Sequence, residues 1–409
     1  MTSYSFSDLF NYVESEEIVE MLSQMIKIPS YTGLKDQESE IANYMYQIFK
    51  KENIETQMIE VLPGRPNVYA YIRGNKQGQK LLLTGHSDTV PVYNMRIAPF
   101  SGEIRDSKVY GRGACDMKGS LAAMMGALIT IKRAGIQLKG DLIFGAVIDE
   151  EERGKGTEFI VNNGPEADAA IVGEPTKLEI AAGHRGLEWL EIKVIGKTTH
   201  GGTPEKGINA ISKAAKLISR IESSLLPKFK ERKHPIIGEP ILNLGVIQGG
   251  DQASSVAGEC IIKIDRRWTP SESIAMVLDD FYRLFDEIKK EDPEFNAKIR
   301  RIYDAGDMLD HCPLEIDLNH PVVTSLSEGI KKIKNIEAVV TNFPAWTDGA
   351  LLSNFKKIPC VVFGPGDLSN AHSTDECIEV DQLLDASKIY TLAALEFCGV
   401  ERWLEGTKF

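Results

Sequence analysis

A short apolar run passes directly into a polar turn in Leu81-Leu82-Leu83-Thr84-Gly85-His86-Ser87-Asp88-Thr89-Val90-Pro91-Val92. The run predicts a buried strand, and the turn after it marks the carboxyl end of that strand. In a parallel α/β sheet, ligands bind just beyond the carboxyl ends of the strands. A histidine and an aspartate two residues apart at such an end are compatible with half of a metal site or with a local hydrogen-bonding pair.

The same arrangement of an apolar strand and a polar end recurs along the chain. Apolar runs at residues 142–148, 169–172 and 360–363 each end in, or lead shortly to, histidine or carboxylate residues. Four such ends in one sheet converge on a single rim, where clustered carboxylates need a counter-cation. A glycine-rich loop before a predicted helix adds one more carboxylate. The candidate site residues are His86, Asp116, Glu150, Glu151, Glu174 and His372.

The candidate residues have the chemistry of a site for divalent metal ions. Imidazoles and carboxylates suit zinc, cobalt or manganese, whereas the six cysteines are scattered and form no C-x-x-C pair. Two histidines and three carboxylates can hold two ions if one carboxylate bridges them, and Asp116 is the natural bridge. Of the adjacent carboxylates Glu150 and Glu151, one can bind metal while the other accepts a proton from the attacking water.

Length and composition limit the classes of protein to which this chain can belong. A chain of 409 residues is too long for one compact core, so we expect two domains. The formal net charge of −12 argues against a nucleic-acid partner, which would require a basic face. The N-terminus lacks the pattern of a signal peptide, and no apolar stretch looks long enough to span a bilayer. We therefore expect a cytoplasmic protein without a membrane partner.

The middle of the chain follows a different pattern from the apolar strands around it. Apolar and polar residues alternate at 190–194 and 260–264, as in antiparallel strands with one solvated face. Helical patterns at 208–218 and 274–288 complete a small α+β domain of ferredoxin-like type. We predict an α/β fold in which a mixed-sheet α/β/α catalytic domain (residues 1–183 and 301–409) carries the metal site and the α+β domain is inserted at residues 184–300.

Five short motifs occur in order along the chain and together resemble one known family. They are His86-x-Asp88, Gly113-x-x-Asp116-Met117-Lys118-Gly119, Asp149-Glu150-Glu151, Glu174-Pro175-Thr176 and Ala371-His372-x-x-x-Glu376. The series resembles the co-catalytic zinc aminoacylase and carboxypeptidase family, which includes acetylornithine deacetylase, succinyl-diaminopimelate desuccinylase and glutamate carboxypeptidase. Each motif alone is weakly specific, but five in order are highly specific, and the resemblance covers nearly the whole chain.

The resemblance implies a role for each residue of the candidate site. The implied metal ligands are His86 and Glu174 for one ion, Glu151 and His372 for the other, and Asp116 as the bridge. Glu150 would be the general acid/base, and Asp88 would be the carboxylate that orients His86. The resemblance also implies a cis peptide bond between Asp116 and Met117.

The resemblance extends to substrate binding and to the inserted domain. It implies that the inserted domain is a lid and that it joins two chains in a homodimer. His200 would then reach the active site of the partner chain and stabilise the oxyanion there. Arg267 would clamp the carboxylate of the substrate, and Gly364 and Gly366 would line its pocket.

The implied function is hydrolysis of an amide bond in a small molecule. The leading hypothesis is a two-metal amidohydrolase, with zinc or else cobalt or manganese, that removes the acyl group from an N-acyl amino acid. A metallocarboxypeptidase or dipeptidase acting on a short peptide would use the same site. A non-catalytic metal-containing binding protein is a third interpretation, against which Glu150 argues because a binder does not need a general base. Relatives commonly have asparagine at the position of Ser254 and proline at that of Ala257, so no particular acyl group or side chain is carried over.

Overall fold

The computed structural model describes residues 6–303 and 308–402, and its helices and strands lie within these ranges. The α-helices are α1 (Phe6–Leu9), α2 (Ser15–Lys27), α3 (Ser39–Lys51), α4 (Gly119–Arg133), α5 (Lys155–Asn163), α6 (Ala210–Arg220), α7 (Ile274–Glu291), α8 (Pro321–Lys334), α9 (Gly349–Leu351) and α10 (Val380–Cys398). The strands are β1 (Glu55–Leu62), β2 (Arg65–Ile72), β3 (Leu81–His86), β4 (Glu103–Arg105), β5 (Lys108–Tyr110), β6 (Gln137–Leu138), β7 (Leu142–Val147), β8 (Ala169–Val172), β9 (Ile180–His184), β10 (Gly186–Ile195), β11 (Ile241–Gly249), β12 (Glu259–Trp268), β13 (Ala297–Arg301), β14 (Leu314–Glu315), β15 (Val340–Phe343), β16 (Cys360–Val362), β17 (Cys377–Glu379) and β18 (Val400–Arg402).

The chain divides into two compact units. The first unit consists of Met1–Gly183, Leu314–Phe343 and Thr347–Phe409, and the second of His184–Pro313 and Pro344–Trp346. The second unit thus begins where the sequence analysis places the inserted domain and extends past residue 300. It also takes three residues from the C-terminal part of the chain.

The first unit contains a nine-stranded mixed sheet with the strand order β1-β2-β7-β3-β8-β16-β9-β14, in which β15 also pairs with β9. Its central strands β7, β3, β8 and β16 are neighbours and run parallel. Every residue of these four strands is buried. Parallel strands that are covered on both faces read as continuous apolar runs, which is why the sequence revealed them. The predicted α/β class is confirmed.

Helix α4 follows the loop that carries Asp116, and it lies in the core of the first unit. Helices α2 and α10 pack against it, and α8 packs against α10. The sequence predicted one core face on α4, but all its residues up to Ile131 are buried, because the helix is apolar nearly all round. By length and composition alone, residues 114–133 could cross a membrane, so our expectation of no such stretch is wrong in that respect. In the structure this stretch is wholly buried within the fold.

The second unit has a four-stranded antiparallel sheet with the strand order β11-β12-β10-β13. Its elements follow one another along the chain as β10, α6, β11, β12, α7 and β13, the order of a ferredoxin-like domain. Alternate residues of β10 are buried, and these include Leu190, Ile192 and Val194. They belong to one core cluster with Leu217 of α6 and Phe281 of α7. The predicted ferredoxin-like type is confirmed.

Candidate metal centre

The carboxyl ends of the central strands bring the candidate residues to one rim of the large sheet. His86 is the last residue of β3, and it lies opposite Val147, the last residue of β7. The chain leaves β7 directly into the turn that carries Glu150 and Glu151, and it leaves β8 towards Glu174. Four parallel strands that end together therefore produce the single rim that the sequence predicted.

The carboxylate of Asp116 lies between the two histidines. Its Oδ1 is 3.0 Å from Nε2 of His86, and its Oδ2 is 3.2 Å from Nε2 of His372. Nε2 of His372 is also 3.1 Å from Oε1 of Glu151, and Nε2 of His86 is 3.8 Å from Oε1 of Glu174. One ligand atom each from His86, Asp116 and Glu151 lies within 4.8 Å of the others. The geometry therefore forms two pairs, each a histidine with a glutamate, that share one aspartate.

The two histidines carry the positive charge among these carboxylates. Burial by itself would lower the pKa of His86, but the hydrogen bond to Asp116 and the charge of Glu174 raise that pKa well above its usual value. Hydrogen bonds to Asp116 and Glu151 raise the pKa of His372 to about 10. In the metal-free protein these contacts favour the protonated form of both imidazoles. A metal ion could replace the proton between each imidazole nitrogen and its carboxylate oxygen.

The carboxylates show the corresponding electrostatic pattern. Burial would raise the pKa of Asp116, but hydrogen bonds from His372 and His86 hold it well below its usual value. Burial, together with the charge of Asp116, raises the pKa of Glu174 well above its usual value. A buried group of carboxylates is stabilised by divalent cations that bind oxygen and imidazole nitrogen together. The donor set therefore fits the metal ions that the sequence predicted.

Glu150 lies in a turn that the side chain of Asp88 holds in place. The buried Asp88 carboxylate accepts the backbone N–H groups of Glu150 (3.2 Å, to Oδ1) and Glu151 (3.1 Å, to Oδ2). Burial raises the pKa of the Glu150 carboxyl well above its usual value, His86 opposes this rise, and the charge of Glu174 adds to it. A raised pKa allows a carboxyl group to hold a proton and to release it as a general acid.

Asp88 contacts His86 differently from what the resemblance implied. Nδ1 of His86 is 2.9 Å from the backbone carbonyl oxygen of Asp88 and 3.7 Å from its carboxylate Oδ1. The nearer atom is therefore the carbonyl oxygen, which is a common partner for a metal-binding imidazole. The carboxylate supports the neighbouring turn instead.

A buried ion pair that the sequence analysis did not assign holds the backbone at Asp116. Oε1 of Glu376 accepts the N–H groups of Cys115 (3.0 Å) and Asp116 (3.1 Å), and Oε2 accepts a hydrogen bond from Arg112 Nη1 (2.5 Å). Both side chains of this ion pair are buried. The available signal was the position of Glu376 four residues after His372, in a motif already quoted. The predicted cis bond between Asp116 and Met117 is confirmed.

Lys118 is a second residue that was quoted in a motif without a role. Its ammonium group is fully buried and donates to the carbonyl oxygens of Met25 (3.0 Å) and Ile28 (2.7 Å) at the end of α2. Burial lowers the pKa of Lys118 to about 7. The lysine therefore fastens the loop that carries Asp116 to the helix packed beside it.

The glycines of Gly364-Pro365-Gly366 lie against the loops of the metal centre. The backbone of Gly364 exchanges hydrogen bonds with Thr176, two residues after Glu174. Gly366 has φ +97°, and a Cβ there would lie 2.7 Å from Sγ of Cys115. Position 366 therefore requires glycine, because a side chain there would collide with Cys115, the residue before Asp116. The role of the two glycines as a substrate lining stays a prediction.

His200 and Arg267 belong to the second unit. His200 is exposed in a loop, where its Nδ1 accepts a hydrogen bond from the N–H of Gly202 (3.0 Å). Arg267 lies on β12, where its Nε and Nη2 donate to the two carboxylate oxygens of Asp265 (2.7 and 3.0 Å). The roles of both residues stay predictions.

The rim of the large sheet thus places one buried and one exposed imidazole, together with several carboxylates, around a shared aspartate. Glu150, whose pKa is raised, lies beside them. This fold and this site define the class of metal-dependent hydrolases. The chain belongs to peptidase family M20/M25/M40, whose sequence pattern matches residues 82–396. Members of the family are hydrolases that act on amide bonds, so the predicted family resemblance and enzyme class are confirmed.

Known proteins resemble this chain over almost its full length. The N-formyl-4-amino-5-aminomethyl-2-methylpyrimidine deformylase of Bacillus subtilis is 30% identical over 416 residues, which cover 94% of this chain and 95% of the relative. The acetylornithine deacetylase of Vibrio campbellii is 31% identical over 389 residues, which cover 93% and 98%. The solved structure of the Bacillus subtilis YXEP protein, described as a dinuclear metal binding peptidase, has a TM-score of 0.71 at 17% identity and covers 94% of this chain and 98% of that one.

Proposed function

We propose that the protein is a two-metal amidohydrolase that removes the acyl group from an N-acyl amino acid. The observation that carries the proposal is the Asp116 carboxylate, which presents one oxygen to each histidine. The likeness to acetylornithine deacetylase supports the deacylase over the peptidase alternative. The proposed metal ligands are His86 and Glu174 for one ion, Glu151 and His372 for the other, and Asp116 between them.

The residues of the chain divide the work of amide hydrolysis. Bound divalent ions, zinc by preference, would polarise the amide carbonyl and lower the pKa of a water molecule at the site. Glu150 accepts the proton of the attacking water and delivers it to the nitrogen that leaves. Asp88 keeps Glu150 in position through the backbone of the turn, and Glu376 does the same for Asp116. Burial raises the pKa of Glu150, so its carboxylate can take the proton from water and then hold it until the leaving nitrogen accepts it.

We also propose roles for the second unit, as a lid and as the surface that joins two chains in a homodimer. Its edge strand β11 supports the interface, because Ile241, Val246 and Ile247 are exposed on a strand with one unpaired edge. In this proposal His200 stabilises the oxyanion in the active site of the partner chain, and Arg267 receives the carboxylate of the substrate. The proposed location of the enzyme is the cytoplasm.

A second candidate substrate is an N-acyl amine that has no carboxylate. The pyrimidine deformylase that resembles this chain acts, by its name, on an N-formyl group of such a molecule. Asp265 already occupies two N–H groups of Arg267, which leaves fewer of them for a substrate carboxylate. The Asp265–Arg267 pair therefore favours an N-acyl amine that has no carboxylate.

A hydrolysis panel tests the proposed function. Its members are N-acetylornithine, N-acetylmethionine, N-succinyl-diaminopimelate, N-formyl-4-amino-5-aminomethyl-2-methylpyrimidine and several dipeptides, each assayed with added zinc or cobalt. Glu150→Gln should abolish turnover, whereas Glu152→Gln, on the exposed glutamate two residues later, should leave it unchanged. Turnover of dipeptides alone would replace the deacylase by a peptidase. If the protein binds metal but hydrolyses none of these substrates, the proposed function is contradicted.

A further inference from the structure

Arg65, the first residue of β2, joins two buried carboxylates. Its Nε and Nη2 donate to Oε2 and Oε1 of Glu38, both at 2.6 Å, and Nη2 also donates to Oδ1 of Asp149 at 2.9 Å. Glu38 and Asp149 are buried, and the Arg65 side chain is 15% exposed. Charge-assisted hydrogen bonds of this forked kind fix direction as well as distance. Arg65 therefore determines where the Asp149 side chain lies.

Asp149 opens the turn that carries Glu150 and Glu151, which we call the catalytic turn (residues 149–154). Its φ is +69°, in the left-handed region that residues with a side chain rarely adopt. Its carbonyl oxygen accepts the N–H groups of Arg153 (3.0 Å) and Gly154 (2.6 Å), so the turn closes on Asp149 itself. Within the described part of the chain, the other carboxylate oxygen of Asp149 has no hydrogen-bond partner. The conformation of Asp149 therefore depends on the contact with Arg65.

Two separate sets of hydrogen bonds, from Asp88 and from Arg65, thus hold the catalytic turn in place. Asp88 holds the N–H groups of Glu150 and Glu151, and Arg65 holds the side chain of the residue before them. We propose that Arg65 is a positioning residue for amide hydrolysis, acting through Asp149 on the placement of Glu150 and Glu151. The inference rests on the proposed function, because it concerns the residue that moves the proton in that reaction.

The geometry of the guanidinium group, and not its charge alone, is what the inference requires. A guanidinium group can serve Glu38 and Asp149 at once through N–H groups fixed in one plane. A lysine ammonium group would retain the charge near both carboxylates but would not reproduce the fork. Arg65→Lys therefore separates charge from geometry, whereas Arg65→Met removes both.

Arg73, the residue directly after β2, provides a matched control. Its Nε and Nη2 hold Glu55, and its Nη1 holds Asp141, so it also joins a glutamate to an aspartate. Its side chain is 48% exposed, however, and its partners are not in the catalytic turn. Arg73→Met thus removes a similar set of ion pairs and leaves the contacts of Arg65 with Glu38 and Asp149 in place.

The experiment compares these three variants with the natural protein, using metal content, kcat, KM and amide hydrogen exchange of residues 149–154. Arg65→Met should lower kcat by about tenfold or more with KM within about twofold, since misplacement by a fraction of an ångström is enough for such a loss. Exchange of the Arg153 and Gly154 amides should rise by a similar factor. Arg65→Lys should recover thermal stability but not kcat, and Arg73→Met should change neither kcat nor exchange.

Two results would overturn the inference. One is an equal effect of Arg65→Met and Arg73→Met on kcat and on exchange in the turn, and the other is full recovery of kcat by Arg65→Lys. If Arg65→Met fails to fold, the lysine variant decides alone. A natural protein that hydrolyses no member of the panel would refute the proposed function, while the exchange measurement would still test whether Arg65 holds the turn.

Discussion

The carboxylate of Asp116 can join two metal ions because each of its oxygens faces a different histidine. Asp116→Asn replaces one of these oxygens by an amide nitrogen, which is not a metal ligand. We expect bound metal to fall from about two ions per chain to about one or fewer, and kcat to fall by about a thousandfold. Metal analysis and kinetics on the purified variant measure both.

The matched control for this variant is Asp106→Asn, in the exposed tight turn between β4 and β5. Asparagine tolerates the positive φ of that position, so metal content and kcat should stay unchanged. Full metal content with normal turnover in Asp116→Asn would show that this carboxylate does not bridge.

The protonation of His372 predicts how the stability of the metal-free protein depends on pH. Its pKa of about 10 in the folded protein lies above the value of about 6.5 in an unfolded chain. The stabilisation from its contacts with Asp116 and Glu151 is therefore fully present below about pH 6.5 and is lost as pH rises through 10. Thermal unfolding of the metal-free protein at several pH values should show this loss, and His372→Asn should reduce it. Equal pH profiles for both proteins would contradict the assignment.

The proton on the imidazole of His372 competes with a metal ion for the ring nitrogen. Because a metal ion needs the unprotonated imidazole of His372, binding below pH 10 must release a proton, and affinity should rise with pH. Calorimetry of zinc binding in two buffers of different ionisation enthalpy measures the protons released. Binding without proton release at pH 7 would contradict the proposed ligand set.

The sequence predicted the residue types of the site better than their contacts. Histidine and carboxylate residues at strand ends were visible from their spacing, because that spacing follows from the parallel sheet. The contacts of Glu376 with the backbone at Asp116, and of Arg65 with Asp149, join residues far apart in the chain. Such contacts depend on tertiary packing, which hydrophobic periodicity does not describe.

Among the structural elements, the buried ones were the easiest to predict. Strands β3, β7, β8 and β16 are apolar runs, and their burial on both faces explains why the pattern was clear. The sequence pattern did not predict β9, β14 and β15 on one side of the large sheet, nor the small sheet of β17, β5 and β4. These elements are two to five residues long, too short for a periodic pattern, and pairing with neighbours determines them.

We expect Gly366→Ala, in the loop after β16, to destabilise the protein more than Gly33→Ala. Gly366 and Gly33 have almost the same φ, +97° and +98°, but a Cβ at Gly33 would meet nothing within 4 Å. Alanine at either position should cost about 1–3 kcal/mol of unfolding free energy through backbone strain. Gly366→Ala should cost about 1–3 kcal/mol more, because its Cβ would lie 2.7 Å from Cys115 Sγ. Urea unfolding of both variants measures this difference in unfolding free energy. Equal losses of unfolding free energy in the two variants would contradict the expected clash with Cys115.

For the whole molecule, the proposed homodimer makes a prediction that joins assembly to activity. Sedimentation should give a mass of twice 45.3 kDa. His200→Ala should retain that mass while kcat falls by about tenfold or more, because the variant loses a donor to the oxyanion. A fully active monomer would contradict the proposed dimer surface and the proposed role of His200 in the partner chain.

A crystal structure of the protein with zinc, recorded at the zinc absorption edge, would show whether two ions bind at Asp116. We expect two anomalous peaks about 3.5–4 Å apart, each about 2.0–2.2 Å from an oxygen of Asp116. One peak should be bound by Nε2 of His86 and the other by Nε2 of His372. A single peak, or peaks away from Asp116, would contradict a two-metal centre at this rim.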